Sequence, residues 1–325
     1  MKQITVGKLV ERINQNFQQP FLLKVSDQTS LESNITEPYI NRPGLALTGY
    51  LERFTNNRIQ IFGDPEMGYL QTLNKDLAYR RLDKIFKHNI PCIIVSKGNS
   101  IPYFMEHLAN QNNIPLLKTY LSTDDIIKKL LFHLQRIFAP FTIEHSTFID
   151  VFGIGVLLIG KSGVGKSECA LDLIERGHRL VTDDSTRLTL VEENVLMGTS
   201  VSEDGFFMEI RGVGIIDIQR MFGIQAVETK KRVAMIIELI PYDPETNYDS
   251  ISIERVDNRK FKTILKTNVP LIQLPVTPGK NMSVVVETAV LNYMLSLHGY
   301  NAAATFIKKQ KSHLNKSSTD GRDHG

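Results

Sequence analysis

The sequence lacks the features that mark secreted, membrane-spanning and nucleic-acid-binding proteins. It begins Met1-Lys2-Gln3-Ile4, with no positive segment leading into an apolar stretch, and no run of about 18 apolar residues occurs anywhere in its 325 residues. No run of Lys and Arg stands out enough to form a nucleic-acid-binding surface, and the formal net charge is only +3. We therefore expect a cytoplasmic protein that binds neither membrane nor nucleic acid.

Cysteine is also scarce, which limits the kinds of site the chain can build. The two cysteines, Cys92 and Cys169, are far apart in sequence and have apolar neighbours. A disulfide is therefore not expected, and a metal site needs more ligands than two thiols supply. We predict two buried free thiols.

Length and hydrophobic content together favour two domains. A chain of this length with 42% hydrophobic residues can bury two ordinary cores. Hydrophobic periodicity changes near Ala139-Pro140. We predict an N-terminal α/β domain over residues 1–138, with a regulatory or scaffolding role because no catalytic constellation stands out. A second domain is predicted over residues 139–311, followed by a disordered polar tail over 312–325.

Strand and helix patterns alternate in both predicted domains, which favours an α/β fold with a partly parallel sheet in the first. There the patterns predict strands over 58–62, 91–95 and 114–118, and helices over 65–89, 102–110 and from Ser122 onward. Ser122 lies three residues before Asp125, as in a helix capping box. In the second domain they predict strands over 151–159, 179–182, 233–239 and 282–286, and a last helical pattern over 287–309 that is interrupted at His298-Gly299.

The strongest motif follows the predicted strand 151–159 and precedes a helical pattern. It fits G-x-x-x-x-G-K-[ST] and reads Gly160-Lys161-Ser162-Gly163-Val164-Gly165-Lys166-Ser167. Glycines let the backbone N–H groups and the helix N-terminus face phosphates. Lys166 supplies a charge to the β and γ phosphates, and Ser167 supplies a hydroxyl to Mg²⁺. The motif predicts nucleotide binding in a P-loop domain.

Two adjacent carboxylates, Asp183 and Asp184, follow the short strand 179–182. Neighbouring residues on a strand point to opposite sides, so one acid is expected to face the phosphates and the other to turn away. Phosphoryl transfer to a hydroxyl needs a proton acceptor, whereas a nucleotide switch needs only a positioned water. The extra carboxylate therefore favours a kinase.

A third segment combines an acid, a base and two glycines ahead of an apolar pair. It reads Met208-Glu209-Ile210-Arg211-Gly212-Val213-Gly214-Ile215-Ile216-Asp217. Taken alone, a strand and turn explain it equally well.

In combination, these segments are far more specific. A Walker A motif followed by His-Arg-Leu-Val-x-Asp-Asp at 178–184 and by Glu-Ile-Arg-Gly-x-Gly-Ile-Ile at 209–216 resembles the HPr kinase/phosphorylase family. Residues 40–45 with Gly49-Tyr50 resemble a family block in the first domain, and 274–281 resemble its P-V-R-P-G-R-N loop. The resemblance runs in order over residues 4–300.

The resemblance implies roles for individual residues. It makes His145 an active-site histidine, Lys166 the phosphate-binding lysine and Asp184 the acid that takes the serine proton. Ser167 and Glu209 become magnesium ligands. The family's active-site arginine corresponds to Arg255 if an insertion lies upstream.

It also implies an activity. Family members use ATP or pyrophosphate, with Mg²⁺, to phosphorylate a serine of HPr, the phosphocarrier of the sugar phosphotransferase system. They remove the group with inorganic phosphate, and they are homohexamers.

The loop linked to removal reads Pro275-Val276-Thr277-Pro278-Gly279-Lys280, so two family arginines are replaced here. A P-loop kinase of small molecules with a regulatory N-terminal domain, or a nucleotide switch without catalysis, stays open as an alternative.

Overall fold

The computed structural model describes residues 2–15, 21–26, 28–202, 205–245, 260–277 and 279–300, with Thr305 and Lys308. It divides into two compact units, Met1–Ala139 and Pro140–Gly325. Arg255, Pro278 and the predicted tail 312–325 lie outside the described residues.

The first unit alternates short strands with helices. Its elements are β1 (Ile4–Thr5), α1 (Val6–Asn14), β2 (Leu23–Lys24), β3 (Asn34–Ile35), β4 (Ile40–Asn41), α2 (Gly44–Thr48), β5 (Ile59–Phe62), α3 (Asp64–Thr72), α4 (Lys75–Phe86), β6 (Ile93–Val95), α5 (Tyr103–Gln111), β7 (Leu116–Lys118) and α6 (Thr123–Phe138). Five strands form a sheet in the order β2-β7-β6-β5-β4, parallel except at β2–β7. The predicted partly parallel α/β sheet is confirmed.

Helices cover both faces of this sheet because its strands are apolar on both sides. Ile93 and Val95 pack in one core, and Ile94, between them, packs in the other. This alternation follows the two-residue period of a strand. Parallel strands buried on both faces are continuous apolar runs, as the sequence is here.

The predicted helix over 65–89 is wrong as a single element. Leu73 is extended between α3 and α4, and the Asn74 side chain accepts a hydrogen bond from the Leu77 N–H at 2.8 Å. Asn74 therefore caps a new helix, a role that asparagine favours. The predicted cap at Ser122 is confirmed, since its hydroxyl accepts from the Asp125 N–H at 3.1 Å.

The second unit contains the remaining elements. They are β8 (Phe141–His145), β9 (Thr147–Val151), β10 (Ile154–Gly160), α7 (Lys166–Glu175), β11 (Arg179–Thr182), β12 (Ser185–Glu192), β13 (Val195–Ser200), β14 (Phe207–Ile210), β15 (Gly214–Asp217), α8 (Ile218–Phe222), a 3₁₀ turn (Ile224–Ala226), β16 (Lys230–Pro241), β17 (Lys260–Ile264), β18 (Thr267–Val276) and α9 (Met282–Leu297). Strand β16 is central. Its first half pairs with β13, and its second half pairs in parallel with β10 and β18.

Two predicted elements of this unit are corrected. The strand over 151–159 is split by a turn at Phe152-Gly153, where both φ angles are positive (53° and 86°), so β9 and β10 pair as a hairpin. The predicted strand over 282–286 is the first turn of α9. Its valines favour strands, but the Asn281 side chain accepts from the N–H groups of Ser283 and Val284 and starts a helix there.

Both cysteines are free and buried, as predicted. Burial raises the pKa of each thiol to about 12. The thiols therefore stay protonated near neutral pH and are poor metal ligands. In the part of the chain that the structure describes, no helix combines the length and the apolar character needed to cross a membrane.

Candidate active site

The phosphate-binding loop connects β10 to α7 in the middle of the large sheet. Strand β10 pairs with β9 on one side and β16 on the other, so its carboxyl end is fixed on both sides. Gly160, Gly163 and Gly165 have φ angles of 146°, 77° and 103°. A Cβ on Gly160 would lie 2.4 Å from the Leu239 carbonyl oxygen, so only glycine fits there.

Lys166 and Ser167, the first residues of α7, are both held by hydrogen bonds. The buried Lys166 Nζ donates to the carbonyls of Gly160 (3.2 Å) and Lys161 (3.3 Å), within the loop itself. The Ser167 hydroxyl contacts both carboxylate oxygens of Asp183, at 3.1 and 3.0 Å. The helix start thus presents an ammonium and a hydroxyl beside a carboxylate.

Two interruptions between strands bring His145 and the adjacent aspartates together. Strand β8 gives way to β9 at Ser146, and β11 gives way to β12 at Asp183-Asp184. The Ser146 N–H donates to the Asp184 carbonyl at 3.0 Å, and its hydroxyl donates to Thr186 at 2.8 Å. The two interruptions therefore lie side by side.

The two aspartates have different partners. Asp183 accepts hydrogen bonds from the hydroxyls of Ser167 and buried Thr147, the latter at 2.6 Å. The Asp184 Oδ1 lies 3.0 Å from His145 Nδ1, and the Asp184 side chain is 75% exposed. The expectation that one acid turns away is wrong, because both line the same cavity. Asp184 has a φ of 66°, which breaks the alternation of a strand.

The segment 208–217 forms a hairpin against α7. Strands β14 and β15 pair antiparallel, with Glu209 opposite Ile215. Met208 and Ile210 pack in the core with residues of α7, whereas Glu209 is on the exposed face. The alternation along β14 therefore places the Glu209 carboxylate on the opposite face of the strand from Met208 and Ile210.

One cavity of about 550 Å³ unites these elements. Its lining comprises the P-loop, both strand interruptions and the hairpin, namely His145, Thr147, Ser162, Gly163, Gly165, Lys166, Ser167, Glu168, Asp183, Asp184, Phe207, Met208, Glu209, Ile210, Arg211, Gly212, Gly214 and Ile215. Of the residues with predicted catalytic or metal roles, His145, Lys166, Ser167, Asp184 and Glu209 are all present. Arg255 lies outside the described residues.

The loop before α9 lies on the other side of the phosphate loop. A second cavity of about 470 Å³ is lined by Val276, Gly279 and Lys280 together with Val164, Gly165 and Glu168. Gly165 and Glu168 line both cavities. Lys280 therefore faces a space that adjoins the main one, whereas Thr277 does not line it.

Sequence reasoning missed two residues of the main cavity. The sequence pattern gives Asp183 no role separate from that of Asp184, although Asp183 is the first acid after β11 and contacts the P-loop serine. Its position directly after an apolar strand was an available signal. Thr147 gave no such signal, because only the fold brings residues 147 and 183 within 2.6 Å.

The donors around Ser167 suit a magnesium ion. Mg²⁺ prefers oxygen ligands, and it usually combines one or two carboxylates with waters and substrate phosphates. The hydroxyl of Ser167 and the carboxylates of Asp183 and Glu209 are of this kind. No group of three or more His, Cys, Asp or Glu side chains able to hold a metal occurs among the described residues. A magnesium ion that is also bound by nucleotide phosphates does not require such a group of side chains.

Comparison with known proteins gives matches to both units. The family model described as HPr Serine kinase N terminus matches residues 4–134, and the HPr Serine kinase C-terminal domain matches residues 136–310. The HPr kinase/phosphorylase of Chloroherpeton thalassium is 40% identical over 309 residues, which are 95% of this chain and 89% of that protein. That of Leptospira biflexa is 39% identical over 316 residues, 97% of each chain.

A solved structure of the Hpr(Ser) kinase/phosphatase from Coxiella burnetii is 36% identical and aligns with a TM-score of 0.44, covering 51% of this chain and 98% of that one. The two domain matches and the full-length relatives agree with the order of motifs along the sequence. The chain belongs to the HPr kinase/phosphorylase family.

Proposed function

We propose that this enzyme transfers the γ-phosphoryl group of ATP to a serine of HPr, and that it removes the group by phosphorolysis. One observation carries the proposal. The P-loop Lys166, the hydroxyl–carboxylate pair of Ser167 and Asp183, and the pair of His145 and Asp184 line a single cavity. Family membership supplies HPr as the acceptor, and ATP makes the cytoplasm the expected location.

In the forward reaction, the seryl oxygen attacks the γ-phosphorus of ATP. The new O–P bond forms as the bond between the γ-phosphorus and the β–γ bridging oxygen breaks, and ADP leaves. Asp184 accepts the seryl proton, because its exposed carboxylate is paired with His145 and, unlike that of Asp183, makes no hydrogen bond to Ser167. His145, at 3.0 Å from Asp184, orients that carboxylate.

In the reverse reaction, an oxygen of inorganic phosphate attacks the phosphorus of phosphoserine. The P–O bond to serine breaks, pyrophosphate forms, and the departing seryl oxygen takes the proton from Asp184. The same carboxylate serves as base in one direction and acid in the other, as microscopic reversibility requires.

Ser167, Asp183 and Glu209 would hold magnesium, and the ion would neutralise charge on the phosphates. Asp183 also has a role of its own. By accepting the Ser167 and Thr147 hydroxyls it fixes the side chain at the start of α7. This differs from Asp184, whose side-chain partner among the described residues is His145.

The experiment that tests this function incubates the purified chain with labelled ATP, Mg²⁺ and purified HPr, and locates the label by mass spectrometry. Labelling of one HPr serine is expected, followed by its loss, with release of pyrophosphate, when phosphate is added. An HPr variant with that serine replaced by alanine is the control. If a metabolite is labelled and HPr is not, the chain is a small-molecule kinase and the proposal fails.

We further propose that the chain assembles as a homohexamer, as the family resemblance implies. Exposed apolar side chains on α9, including Leu291, Leu295 and Leu297, support burial against other chains. Light scattering coupled to size-exclusion chromatography is expected to give six times the mass of one chain. A monomeric mass at micromolar concentration would contradict the assembly.

A further inference from the structure

Arg211 lies at the tip of the hairpin formed by β14 and β15, directly above the phosphate loop. A Cβ placed on Gly163 would be 3.0 Å from the Arg211 Nη2 atom and 3.9 Å from its Cζ. The guanidinium therefore occupies the space that a side chain at position 163 would fill. Met208 and Ile210, buried against the core that includes α7, hold the hairpin in this position.

The N–H donors of Arg211 face the cavity without a protein partner in the part of the chain that the structure describes. Among the described residues its side chain makes no hydrogen bond or ion pair. Two other arginines of the same unit are paired with carboxylates. Arg176 donates two hydrogen bonds to Glu287, and Arg179 pairs with Asp150 and Glu228. Arg211 thus presents an open guanidinium to the cavity.

The charges of the cavity explain why such a group is needed there. Among the described residues, four carboxylates line it, those of Glu168, Asp183, Asp184 and Glu209. In the same set of lining residues, only Lys166 and Arg211 add permanent positive charge, and Lys166 is bonded to loop carbonyls. A phosphoryl group brings further negative charge, most of it on the three oxygens that do not take part in bond exchange. Arginine can bind two of these at once through its planar fork.

We propose that Arg211 binds the phosphoryl group in transfer, which is the γ-phosphate of ATP in the forward direction and the phosphate of phosphoserine in the reverse direction. This inference rests on the proposed function. Bond formation and breakage are those given above, and Arg211 exchanges no proton. It stabilises charge on the oxygens that stay with phosphorus throughout, as an arginine supplied in cis does in other phosphoryl transfer sites.

A nucleotide-binding experiment separates this role from general support of the fold. ATP and ADP affinities are measured by calorimetry for the full chain and for Arg211→Gln. Loss of a charge-assisted, two-bond contact to the γ-phosphate is expected to weaken ATP binding about tenfold to a hundredfold. ADP lacks that phosphate, so its affinity is expected to change by less than about twofold.

The rate of HPr phosphorylation is the second measurement. In Arg211→Gln the kcat for HPr phosphorylation is expected to fall by about 10²- to 10³-fold, the range found when one charge-stabilising donor is removed. Arg211→Lys keeps the charge and loses the fork, so its rate is expected to lie between those of the parent and Arg211→Gln.

Arg220→Gln is the matched control. Arg220 is nine residues further along, its side chain is 89% exposed, and it pairs with Asp217 outside the cavity. Its removal is expected to leave both nucleotide affinities and kcat within about twofold. The inference is overturned if Arg211→Gln loses ATP and ADP affinity equally, or if it keeps the parental rate. If the parent labels a metabolite instead of HPr, the proposed function fails, while selective loss of ATP affinity would still support Arg211.

Discussion

Both α/β units have charged side chains beyond the carboxyl ends of their strands. The two units differ in whether these side chains pair with opposite charges. In the first unit, Arg42 donates two hydrogen bonds to Glu66, and Lys97 pairs with Asp64. In the second, Lys166 bonds only to loop carbonyls, while Glu209 and Arg211 have no partner among the described residues. Charges that neutralise each other fix a fold, whereas charges left open around a cavity are available to a substrate.

The largest expected effect comes from removing the P-loop ammonium. Lys166→Ala is expected to abolish measurable HPr phosphorylation and to weaken ATP binding, because no other lysine among the described residues lines the cavity. Thermal unfolding monitored by circular dichroism should show a folded protein. Lys97→Ala removes a lysine at the matching edge of the first unit and is expected to retain the parental rate. A Lys166→Ala variant with near-parental activity would contradict the P-loop assignment.

The next effect distinguishes the two aspartates. Asp184→Asn keeps the side-chain size and removes the proton acceptor, so kcat is expected to fall by about 10²- to 10⁴-fold with ATP affinity largely retained. Asp183→Asn replaces the carboxylate that contacts Ser167 with an uncharged amide. It is therefore expected to raise the Mg²⁺ concentration needed for half-maximal activity. If the two variants change Mg²⁺ dependence equally, both acids are metal ligands and Asp184 is not the base.

The sequence was sufficient for the P-loop because one continuous segment supplies both the glycines and the side chains. It was insufficient for the aspartates. The rule that neighbours on a strand point apart fails at Asp184, whose backbone has a φ of 66°. That conformation is stabilised by contacts with Ser146, which lies 38 residues earlier and is brought near by the fold. Thr147 was missed for the same reason.

Local patterns also explain which elements were misassigned. The apolar run 151–159 conceals a turn at Phe152-Gly153, because only one of its two positive φ angles is at a glycine. The start of α9 contains three successive valines that favour a strand, and the cap at Asn281 together with burial of Val286 outweighs them. Propensity decides an element only when caps and tertiary packing agree with it.

A smaller effect is expected at the loop before α9, where this chain has Thr277 and Lys280 in place of two family arginines. Arginine binds phosphate through two hydrogen bonds, lysine offers a compact charge, and threonine offers only a hydroxyl. The double variant Thr277→Arg, Lys280→Arg is therefore expected to need less phosphate for half-maximal dephosphorylation of phosphoserine-HPr, with the forward rate changing less. Lys280→Arg alone is the informative comparison, since Lys280 lines the adjoining cavity.

If the double variant needs as much phosphate as the parent, the loop does not hold the attacking phosphate. The same conclusion follows if only the kinase rate rises.

Substitution of a paired charge in the first unit is expected to change the free energy of unfolding rather than the rate of HPr phosphorylation. Glu66 is buried, receives two hydrogen bonds from Arg42 and accepts another from the Gly63 N–H at 2.9 Å. Glu66→Gln keeps the shape and removes the charge opposite Arg42, so the free energy of unfolding is expected to fall by about 1–3 kcal/mol. Denaturant unfolding measures this, and HPr phosphorylation at 25 °C is expected to stay within about twofold.

The smallest effect is expected at Asp64. Like that of Glu66, its carboxylate accepts hydrogen bonds from other side chains, but it is exposed to solvent. Hydrogen bonds from Lys97, and then from Asn99, lower the pKa of the Asp64 carboxyl. A pKa lowered by folding gives stability that is present above the unfolded value, near pH 4, and is lost as the pH falls through the folded value. Because exposed ion pairs contribute little, Asp64→Asn is expected to leave the thermal midpoint at pH 7 nearly unchanged.

As the pH falls through the folded pKa of Asp64, the midpoints of the parent and Asp64→Asn are expected to converge, because protonation of Asp64 removes the same charge that the substitution removes. The kinase rate of the variant is expected to equal that of the parent, since its partners Lys97 and Asn99 lie in the same unit and none of the three lines the catalytic cavity. A folded Asp64→Asn variant with reduced phosphorylation of HPr would show that paired charges in the first unit take part in function, and the contrast between the two units would then fail.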